Sequence, residues 1–448
     1  MLKAIKYVSQ TSVSLALIAT TAVSAPVTLA ATVPVTTNGK TPAAKATNFE
    51  DADGKHWNQW RGPQRDAQTA GKTWPQTLTM KLLWEHEKLG ASYSGPITDG
   101  KRVFTTATVN ARQEVVTAFD LQSGKELWKQ EWAGAMMVPF FAMSNGSWIR
   151  STPACDETLV YVVGIQDHLV CMNSETGEIR WEIDFAKKYE TGNPPFGAVC
   201  SPMLDGDFLY LQAANRFFKI KKSDGSVVWE TMKEAEGMST GGSFSSPCFA
   251  TLDGKRQILV QSRTNLAGVD PDSGDVMWST PVPNYRGMNI LTPAAWQNSV
   301  FTSTYNNQSF LYDVQNNHSV SQRWKNTAKG YMASPALIDG KAYLLLQNGR
   351  MACLDLESGE RLWTSEKKVG DYASCVVRDQ QILWLTNEGR LILQTASPEA
   401  FEIEAETELP GIRNSWAHLG LETREDGSLV VMVRALNSLH VFQWESQR

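Results

Sequence analysis

A short pattern of polar and apolar positions recurs along most of this chain. Its clearest copy, at residues 355–363, reads DLESGERLW, and related copies end at Trp128, Trp181, Trp229 and Trp278. In each copy a short apolar strand leads into a polar turn that contains Gly, and a second strand ends in Trp. Gly adopts a positive φ without a Cβ clash, and an initial Asp or Asn can bond the backbone two residues on. The pattern therefore predicts β-hairpins with Gly-containing turns.

The spacing of these tryptophans predicts how the hairpins are stacked. Trp occupies positions 84, 128, 181, 229, 278, 324 and 363, at intervals of 39 to 53 residues, and we expect Leu409 to take the next equivalent position. A repeat of roughly 40–50 residues with alternating apolar and polar positions is typical of one four-stranded propeller blade. One such sheet cannot cover both of its apolar faces, so the repeats must pack side by side.

The two ends of the chain predict how the ring closes. An apolar strand precedes a hairpin at eight places, and the last of these strands, at residues 439–444, has no Trp-bearing strand after it. The first of the repeat tryptophans, at position 84, has no strand before it. A ring in which the N-terminal strand completes the C-terminal blade leaves no open edge. We therefore predict that residues 56–448 form an all-β fold, an eight-bladed β-propeller of four-stranded antiparallel blades closed by the N-terminal strand.

The first 55 residues have a different composition from the rest of the chain. Residues 1–30 resemble a secretory signal peptide, because Lys3 and Lys6 precede an apolar segment at 13–23 that is too short for a membrane span. A retained N-terminal anchor is the alternative. Residues 31–55 are rich in Thr, Ala and Pro and are typical of a flexible linker. We predict export to the periplasm or the extracellular space, with no transmembrane span in the mature chain.

Charge and cysteine content exclude several classes of function. The net charge of −5 does not favour binding to nucleic acid. The six cysteines lie in strand-like segments, and none forms a CxxC or CxxCH motif, so we predict no zinc, haem or other metal site. We expect most of them to be buried free thiols, and Cys155 with Cys171 is the one pair to test for a disulfide. We expect a monomer.

A segment dense in Trp and Arg precedes the first strand. Residues 56–66 read HWNQWRGPQRD. The segment is either a recognition arm or a clasp that packs Trp57 and Trp60 over one end of the propeller, and we favour the clasp.

The loops that enter the innermost strands are predicted to form one mouth of the central channel. Nearly every such loop carries an aromatic residue, and several carry Arg or Asn, which are residues that anchor peptides and small ligands. The predicted binding residues are Tyr93, Trp148, Arg150, Phe244, Arg286, Asn289, Tyr331, Tyr372, Arg413 and Trp416. Alternatively, these side chains plug the channel and support the Gly-rich turns.

The three arginines in these loops favour an anionic or carbonyl-rich ligand. If they contact a partner, reversing the charge of Arg150 and Arg413 should abolish its binding and leave the melting temperature nearly unchanged.

The repeated hairpin resembles the pyrroloquinoline-quinone (PQQ) repeat superfamily of eight-bladed propellers. Inner strands that open on Ser-x-Pro or a variant, such as STP at 151–153 and ASP at 333–335, add to this resemblance, which covers about residues 75–445. The start of the propeller is similar to that of exported proteins labelled as quinone-repeat or outer-membrane-assembly-like. The superfamily contains both enzymes and binding scaffolds, so the fold alone does not assign a function.

Two branches of this superfamily imply different functions. One resembles the accessory lipoprotein of the outer-membrane β-barrel assembly machinery, and it implies a non-catalytic binding or assembly scaffold whose mouth binds a protein or small ligand. This chain has no lipobox cysteine, which leaves the membrane anchor and the partner open. We predict this scaffold function.

The alternative is a PQQ- and calcium-dependent quinoprotein dehydrogenase acting on alcohols or sugars. Such enzymes often carry two adjacent cysteines, which this sequence lacks. Under this alternative the candidate catalytic base is Asp371, which lies just before an inner strand. The competing interpretation is that Asp371 is a solvated turn residue.

Overall fold

The predicted propeller is confirmed. The computed structural model describes residues 56–71, 73–330 and 332–445, and this part of the chain forms eight four-stranded antiparallel sheets. Each sheet is built from consecutive β-strands that pair with their neighbours along the chain, except for the last sheet. The predicted signal peptide, the predicted linker and Tyr331 lie outside the described residues.

Seven blades follow the first strand in chain order, each running from its innermost to its outermost strand. The first strand is β1 (Thr79–His86). Blades 1 to 4 contain β2 (Ile97–Thr98), β3 (Arg102–Val109), β4 (Gln113–Asp120) and β5 (Glu126–Ala133); β6 (Ala154–Cys155), β7 (Leu159–Gly164), β8 (His168–Asn173) and β9 (Ile179–Asp184); β10 (Met203–Asp205), β11 (Phe208–Ala213), β12 (Arg216–Lys221) and β13 (Val227–Thr231); and β14 (Cys248–Leu252), β15 (Lys255–Gln261), β16 (Asn265–Val269) and β17 (Val276–Pro281).

The remaining blades have the same organisation. Blades 5 to 8 contain β18 (Ala294–Trp296), β19 (Ser299–Ser303), β20 (Ser309–Val314) and β21 (Val320–Asn326); β22 (Ala336–Ile338), β23 (Lys341–Leu345), β24 (Met351–Asp355) and β25 (Arg361–Thr364); β26 (Ala373–Arg378), β27 (Gln381–Thr386), β28 (Arg390–Thr395) and β29 (Glu402–Glu408); and β30 (Gly420–Thr423), β31 (Leu429–Arg434) and β32 (Leu439–Glu445) together with β1. A 3₁₀ helix (Phe140–Asn145) and α1 (Phe185–Lys188) lie in loops, and neither of these described helices could cross a membrane.

The predicted closure of the ring by the N-terminal strand is also confirmed. β1 is the outermost strand of blade 8, and it pairs antiparallel with β32 from Thr79 opposite Glu445 to His86 opposite Leu439. The first and last strands of the propeller are therefore hydrogen-bonded to each other. This pairing covers the edge that β32 would otherwise leave open.

The repeated Gly and Trp join neighbouring blades. The indole N–H of Trp128 in blade 1 donates to the carbonyl of Ser174 in the outer turn of blade 2 at 2.9 Å. Gly177 of the same turn lies against that indole, since a Cβ on it would come within 2.6 Å of Trp128 Cε3. The same type of hydrogen bond joins Trp84 to Leu121, Trp181 to Lys222, Trp229 to Pro271, Trp324 to Leu356 and Trp363 to Ser397.

Two junctions between blades depart from this pattern. Trp278 of blade 4 donates to Gln257 within its own blade, and the outer turn of blade 5 has no Gly. In blade 7 the expectation for Leu409 is wrong, because Ala405 holds the position opposite Leu393 that Trp363 holds opposite Cys353 in blade 6. In the other blades a turn connects the two outermost strands, and in most of them this turn contacts the Trp of the preceding blade. In blade 8 the two outermost strands, β32 and β1, are not consecutive in the chain, so this turn is missing.

The segment before β1 fills the junction between blades 7 and 8 instead. Trp74 is buried with its ring 5.6 Å from that of Trp444, and its backbone N–H donates to Gln381 Oε1 of blade 7 at 2.7 Å. The indole of Trp444 in blade 8 donates to Thr77 O at 2.7 Å. An aromatic pair from the two ends of the propeller thus replaces the missing Trp contact.

Residues 56–70, which we call the axial segment, contact the innermost strands around the ring. Trp57 is buried and stacks on His418 with 5.9 Å between ring centroids, and Trp60 meets the same imidazole edge-on at 5.0 Å. Trp57 and Trp60 therefore pack against the propeller, as expected for a clasp, although the segment contacts inner strands all around the ring.

The six cysteines are all buried and free. The prediction of buried thiols is confirmed, and Cys155 and Cys171 do not form a disulfide.

Candidate binding surface at the propeller mouth

The loops that lead from the outermost strand of one blade to the innermost strand of the next lie on one face of the propeller. We call this face the mouth. All of them share a face because the innermost strands run in the same direction around the axis. Every predicted binding residue except Tyr331 lies in a described loop of this face.

Four of the predicted aromatic residues form one cluster at the mouth. The ring of Tyr93 lies 5.3 Å from that of Trp148 and 5.9 Å from that of Trp416, between centroids. Tyr372 stacks on the other side of Trp416 at 5.5 Å. Tyr372 is buried, whereas the other three rings are half-buried. Loops around blades 1, 2, 7 and 8 thus bring together aromatic residues that are far apart in sequence.

Arg150 lies beside this cluster and holds its own loop. Its Nη2 donates to Gly146 O at 2.5 Å, and its guanidinium lies 6.0 Å from the centroid of the Tyr93 ring. Burial lowers the pKa of Arg150, while the nearby Tyr93 acts in the opposite direction. The guanidinium therefore has an internal role in the loop in addition to any contact with a ligand.

Phe244 belongs to a second group, on the side of blades 3 and 4. Its ring lies 5.7 Å from that of Phe196, and the guanidinium of Arg263 lies 4.5 Å from the Phe244 centroid. Arg263 is buried and donates to the carbonyls of Gly241 at 2.6 Å and Gly287 at 2.7 Å. Burial lowers its pKa to about 10. Arg263 thus joins two mouth loops, and the sequence analysis missed it because it lies in a turn within blade 4.

The other predicted polar residues have different surroundings. Asn289 is fully buried and donates to Arg263 O at 3.2 Å, so it is not part of the accessible surface, contrary to the prediction. Arg286 is exposed, with its guanidinium 5.2 Å from the Tyr285 centroid. Arg413 is exposed on the loop between blades 7 and 8. Of the predicted polar residues, Arg286 and Arg413 are therefore the more accessible to a partner.

The mouth also carries a group of highly exposed apolar residues that were not predicted from the sequence. Met137, Phe140, Phe141 and Met143 are 87%, 85%, 58% and 59% exposed, on the loop that contains the 3₁₀ helix. Phe141 lies 6.2 Å from Phe196, which links this loop to the group around Phe244. The apolar run MMVPFFAM at 136–143, placed between two strands, was the available sequence signal. We call these four residues the apolar loop.

The described residues of the mouth do not bring together the carboxylates that a calcium-dependent quinone site would use. Ca²⁺ takes roughly six to eight oxygen ligands, many of them carboxylates. Asp371 is exposed, and its backbone N–H donates to Asn387 Oδ1 at 2.9 Å. Over the described residues, no group of three or more His, Cys, Asp or Glu side chains could hold a metal ion. A solvated turn residue is the interpretation of Asp371 that agrees with this geometry.

The fold and the mouth together define an eight-bladed propeller of the PQQ-repeat class. A family model described as "Outer membrane protein assembly factor BamB" matches residues 111–365. This is more than half of the chain, and the chain belongs to that family.

Curated relatives carry the same description. BamB of Moranella endobia is 23% identical over 329 residues, which cover 72% of this chain and 70% of the relative. BamB of Yersinia pestis is 19% identical over 302 residues, which cover 67% of this chain and 63% of the relative.

Solved structures from both branches of the superfamily share the fold. The crystal structure of BamB from Moraxella catarrhalis matches with a TM-score of 0.57 and 12% identity, over 82% of this chain and 100% of that one. A quinohemoprotein alcohol dehydrogenase from Comamonas testosteroni matches with a TM-score of 0.62 and 14% identity, over 89% and 82%. At these identities the likeness shows the fold alone, so the function is argued from the surface.

Proposed function

We propose that this chain is an exported, non-catalytic scaffold that binds a protein partner through the mouth of the propeller during the assembly of outer-membrane proteins. Membership of the family described as outer membrane protein assembly factor BamB supports the assembly role. The signal-like residues 1–30 support export.

The apolar loop is the observation that carries the proposal. Large apolar side chains that stand 58% to 87% exposed on one loop lose water contact only when another surface covers them. Aromatic and Met side chains are enriched in the centres of protein interfaces, and Met adapts its shape to a partner surface. An exposed loop of this kind suits a protein surface better than a small ligand, which requires a concave site.

Site-specific photo-crosslinking in the native host tests the proposal. A photoreactive phenylalanine analogue at Phe140 should capture a component of outer-membrane protein assembly. The same analogue at Leu127, which is 44% exposed on the outermost strand of blade 1, is the matched control and should capture nothing specific. Equal capture at both positions, or capture at neither, would contradict a protein-binding mouth.

A substitution test separates binding from folding. The double variant Phe140→Asp and Phe141→Asp should lose the captured partner with little change in melting temperature, because both side chains are largely exposed. A partner that is retained would show that the apolar loop is not the contact surface.

Quinoprotein dehydrogenase activity is not part of this proposal, because Asp371, the candidate base, is an exposed residue at a bend. Dye reduction by the purified protein with PQQ, Ca²⁺ and an alcohol or sugar would contradict the non-catalytic assignment.

A further inference from the structure

The axial segment makes contacts with every blade of the propeller. Its backbone and side-chain hydrogen bonds reach Thr98 in blade 1, Cys155 in blade 2, Leu204 in blade 3, Pro247 beside blade 4, Thr292 beside blade 5, Pro335 beside blade 6, Val377 in blade 7 and Glu422 in blade 8. Since the innermost strands surround the axis, a segment that contacts all eight blades lies in the central channel. A single short segment thus forms hydrogen bonds with all eight blades.

Arg65 makes the most extensive of these contacts. Its Nε donates to Pro247 O at 2.7 Å, Nη1 to Pro202 O at 2.7 Å and Nη2 to Ser201 O at 3.1 Å. Arg61 donates in the same way from Nη2 to Pro335 O at 2.6 Å. The acceptors are backbone carbonyls at the openings of inner strands. The Ser-x-Pro repeat therefore presents a set of carbonyl oxygens toward the axis, where they bind guanidinium groups.

The ring supplies this site without help from the axial segment. Each of the eight sheets has its four strands from residues 79–445, and the segment adds only an isolated parallel bridge between Gln68 and Val377. The carbonyl acceptors are fixed by strands whose own pairing lies within the blades. The segment is thus bound to a ring that is already closed by β1 and β32.

The contact buries the guanidinium groups of Arg61 and Arg65. Arg61 and Arg65 are each 2% exposed, and no ion pair joins either of them to a carboxylate among the described residues. Burying a guanidinium without a counter-charge has a large desolvation cost, which the carbonyl hydrogen bonds offset in part. The apolar contribution comes mainly from Trp57 and Trp60. The desolvation cost therefore opposes the hydrogen-bonding and apolar terms that hold the segment in the channel.

We propose that the axial channel is a binding site for an extended, guanidinium-bearing peptide, and that residues 56–70 are its intrachain ligand, which exchanges without unfolding of the ring. The proposal does not depend on the function of the mouth. The ligand class follows from the acceptors: carbonyl oxygens converge on all three nitrogens of one planar guanidinium, a geometry that an ammonium group cannot match.

A nicked form of the full chain tests the proposal. A protease site inserted after Gly71, which is exposed, allows the part of the chain up to Gly71, which includes residues 56–70, to be cut from the ring after folding, while Trp74 and β1 stay attached to it. The cut segment should remain bound through gel filtration and should dissociate at a urea concentration below the unfolding transition of the ring. Dissociation only together with unfolding of the ring would overturn the proposal.

Peptide exchange gives the second readout. A fluorescent peptide of residues 56–70 should bind the nicked, urea-washed ring after removal of the urea, and unlabelled peptide should displace it. A peptide with Arg65→Lys is the matched control, because it keeps the charge and loses the fork of donors. It should bind at least about tenfold more weakly, the loss expected for removal of one or two hydrogen bonds to a charged donor. Equal binding of the two peptides would overturn the assignment of the guanidinium site.

Discussion

The indole of Trp128 lies against the Cα of Gly177, so that a residue from the end of blade 1 is covered by the outer turn of blade 2. The two residues belong to successive copies of the sequence repeat. The Gly of each copy therefore serves two purposes: it permits the positive φ of the turn, and it leaves room for the Trp of the preceding blade.

Replacing Gly177 by Ala should destabilise the propeller through both effects. The new Cβ would lie 2.6 Å from the Trp128 ring at a backbone φ of 74°. Overpacking costs about 1–3 kcal/mol, and left-handed strain at a non-Gly residue costs about as much again. Gly254→Ala is the matched control, since its φ is 70° and nothing lies within 4 Å of the added Cβ. Chemical unfolding should show a larger loss for Gly177→Ala, and equal losses would refute the contact.

The junction between blades 7 and 8 should be sensitive to Trp74. Trp74→Ala removes a buried indole and should lower the free energy of unfolding by about 3–5 kcal/mol, the usual cost of such a truncation. The increase in hydrogen exchange should be concentrated in β1 and β30–β32, because the Trp74 ring packs against Trp444 of blade 8. Trp128→Ala provides a comparison, with faster exchange expected in blades 1 and 2 instead. A uniform increase in both variants would show that the ring opens cooperatively.

Asp167 should make stability decrease as the pH rises. Its carboxyl group is buried and accepts the N–H of Ala214 in the next blade at 3.0 Å. Burial raises its pKa to about 7, with nearby Asp184 acting in the same direction. The folded state therefore holds this proton more tightly than the unfolded state. Its stabilising contribution is full below the unfolded pKa of roughly 4 and is lost as the pH rises through about 7.

The variant Asp167→Asn removes this titration and keeps an acceptor for Ala214. Urea unfolding between pH 5 and pH 8.5 should show a smaller loss of stability for the variant than for the unmodified protein. The two losses of unfolding free energy should differ by a few kcal/mol at most, since one pKa unit corresponds to about 1.4 kcal/mol. Parallel pH profiles would show that Asp167 does not titrate in this range. Glu114, whose pKa is raised by burial to about 7, is present in both proteins. It makes the stability of both decrease with rising pH by the same amount.

His418 should stay neutral across the physiological pH range. Burial, followed by the charge of Arg61, lowers its pKa to about 3. A depressed pKa in the folded state means that stability is present above the unfolded pKa of roughly 6.5 and is lost as the pH falls toward 3. The imidazole resonance of His418 should therefore not shift between pH 5 and pH 8 in NMR spectra. A titration midpoint near 6.5 would mean that the axial segment does not enclose this ring in solution.

Arg150 and Arg413, two predicted binding residues of the mouth, should respond differently to charge reversal. Arg413→Glu should weaken partner binding with little change in melting temperature, because Arg413 is exposed. Arg150→Glu should lower the melting temperature, because the guanidinium donates to Gly146 and is largely enclosed by its loop. This differs from the expectation for Arg150 from sequence. Thermal unfolding and partner capture of both variants distinguish the two roles, and an unchanged melting temperature for Arg150→Glu would restore the simpler interpretation.

Much of the architecture could be predicted because each repeat contains the residues that contact the next repeat. The Gly-containing turn and the terminal Trp determine a hairpin and a contact with the next hairpin, and both are local in sequence. The number of blades follows from counting strands, and the closure by β1 follows from the unpaired elements at the two ends. Leu409 was misplaced because the position opposite Leu393 carries Ala405 in place of the marker Trp, so only the spacing of the repeat remained to locate it.

The sequence by itself determined the blades, their order and the closure of the ring, since these depend on periodic burial and on short turns. Only the tertiary structure decided which mouth residues are accessible, because Asn289, Arg150 and Phe140 lie in irregular loops whose burial depends on contacts with other blades. It likewise placed Arg65 on the axis, since the carbonyls that bind its guanidinium come from Ser201, Pro202 and Pro247, more than a hundred residues away in the chain. Such convergence is a property of the closed ring, and no single repeat contains it.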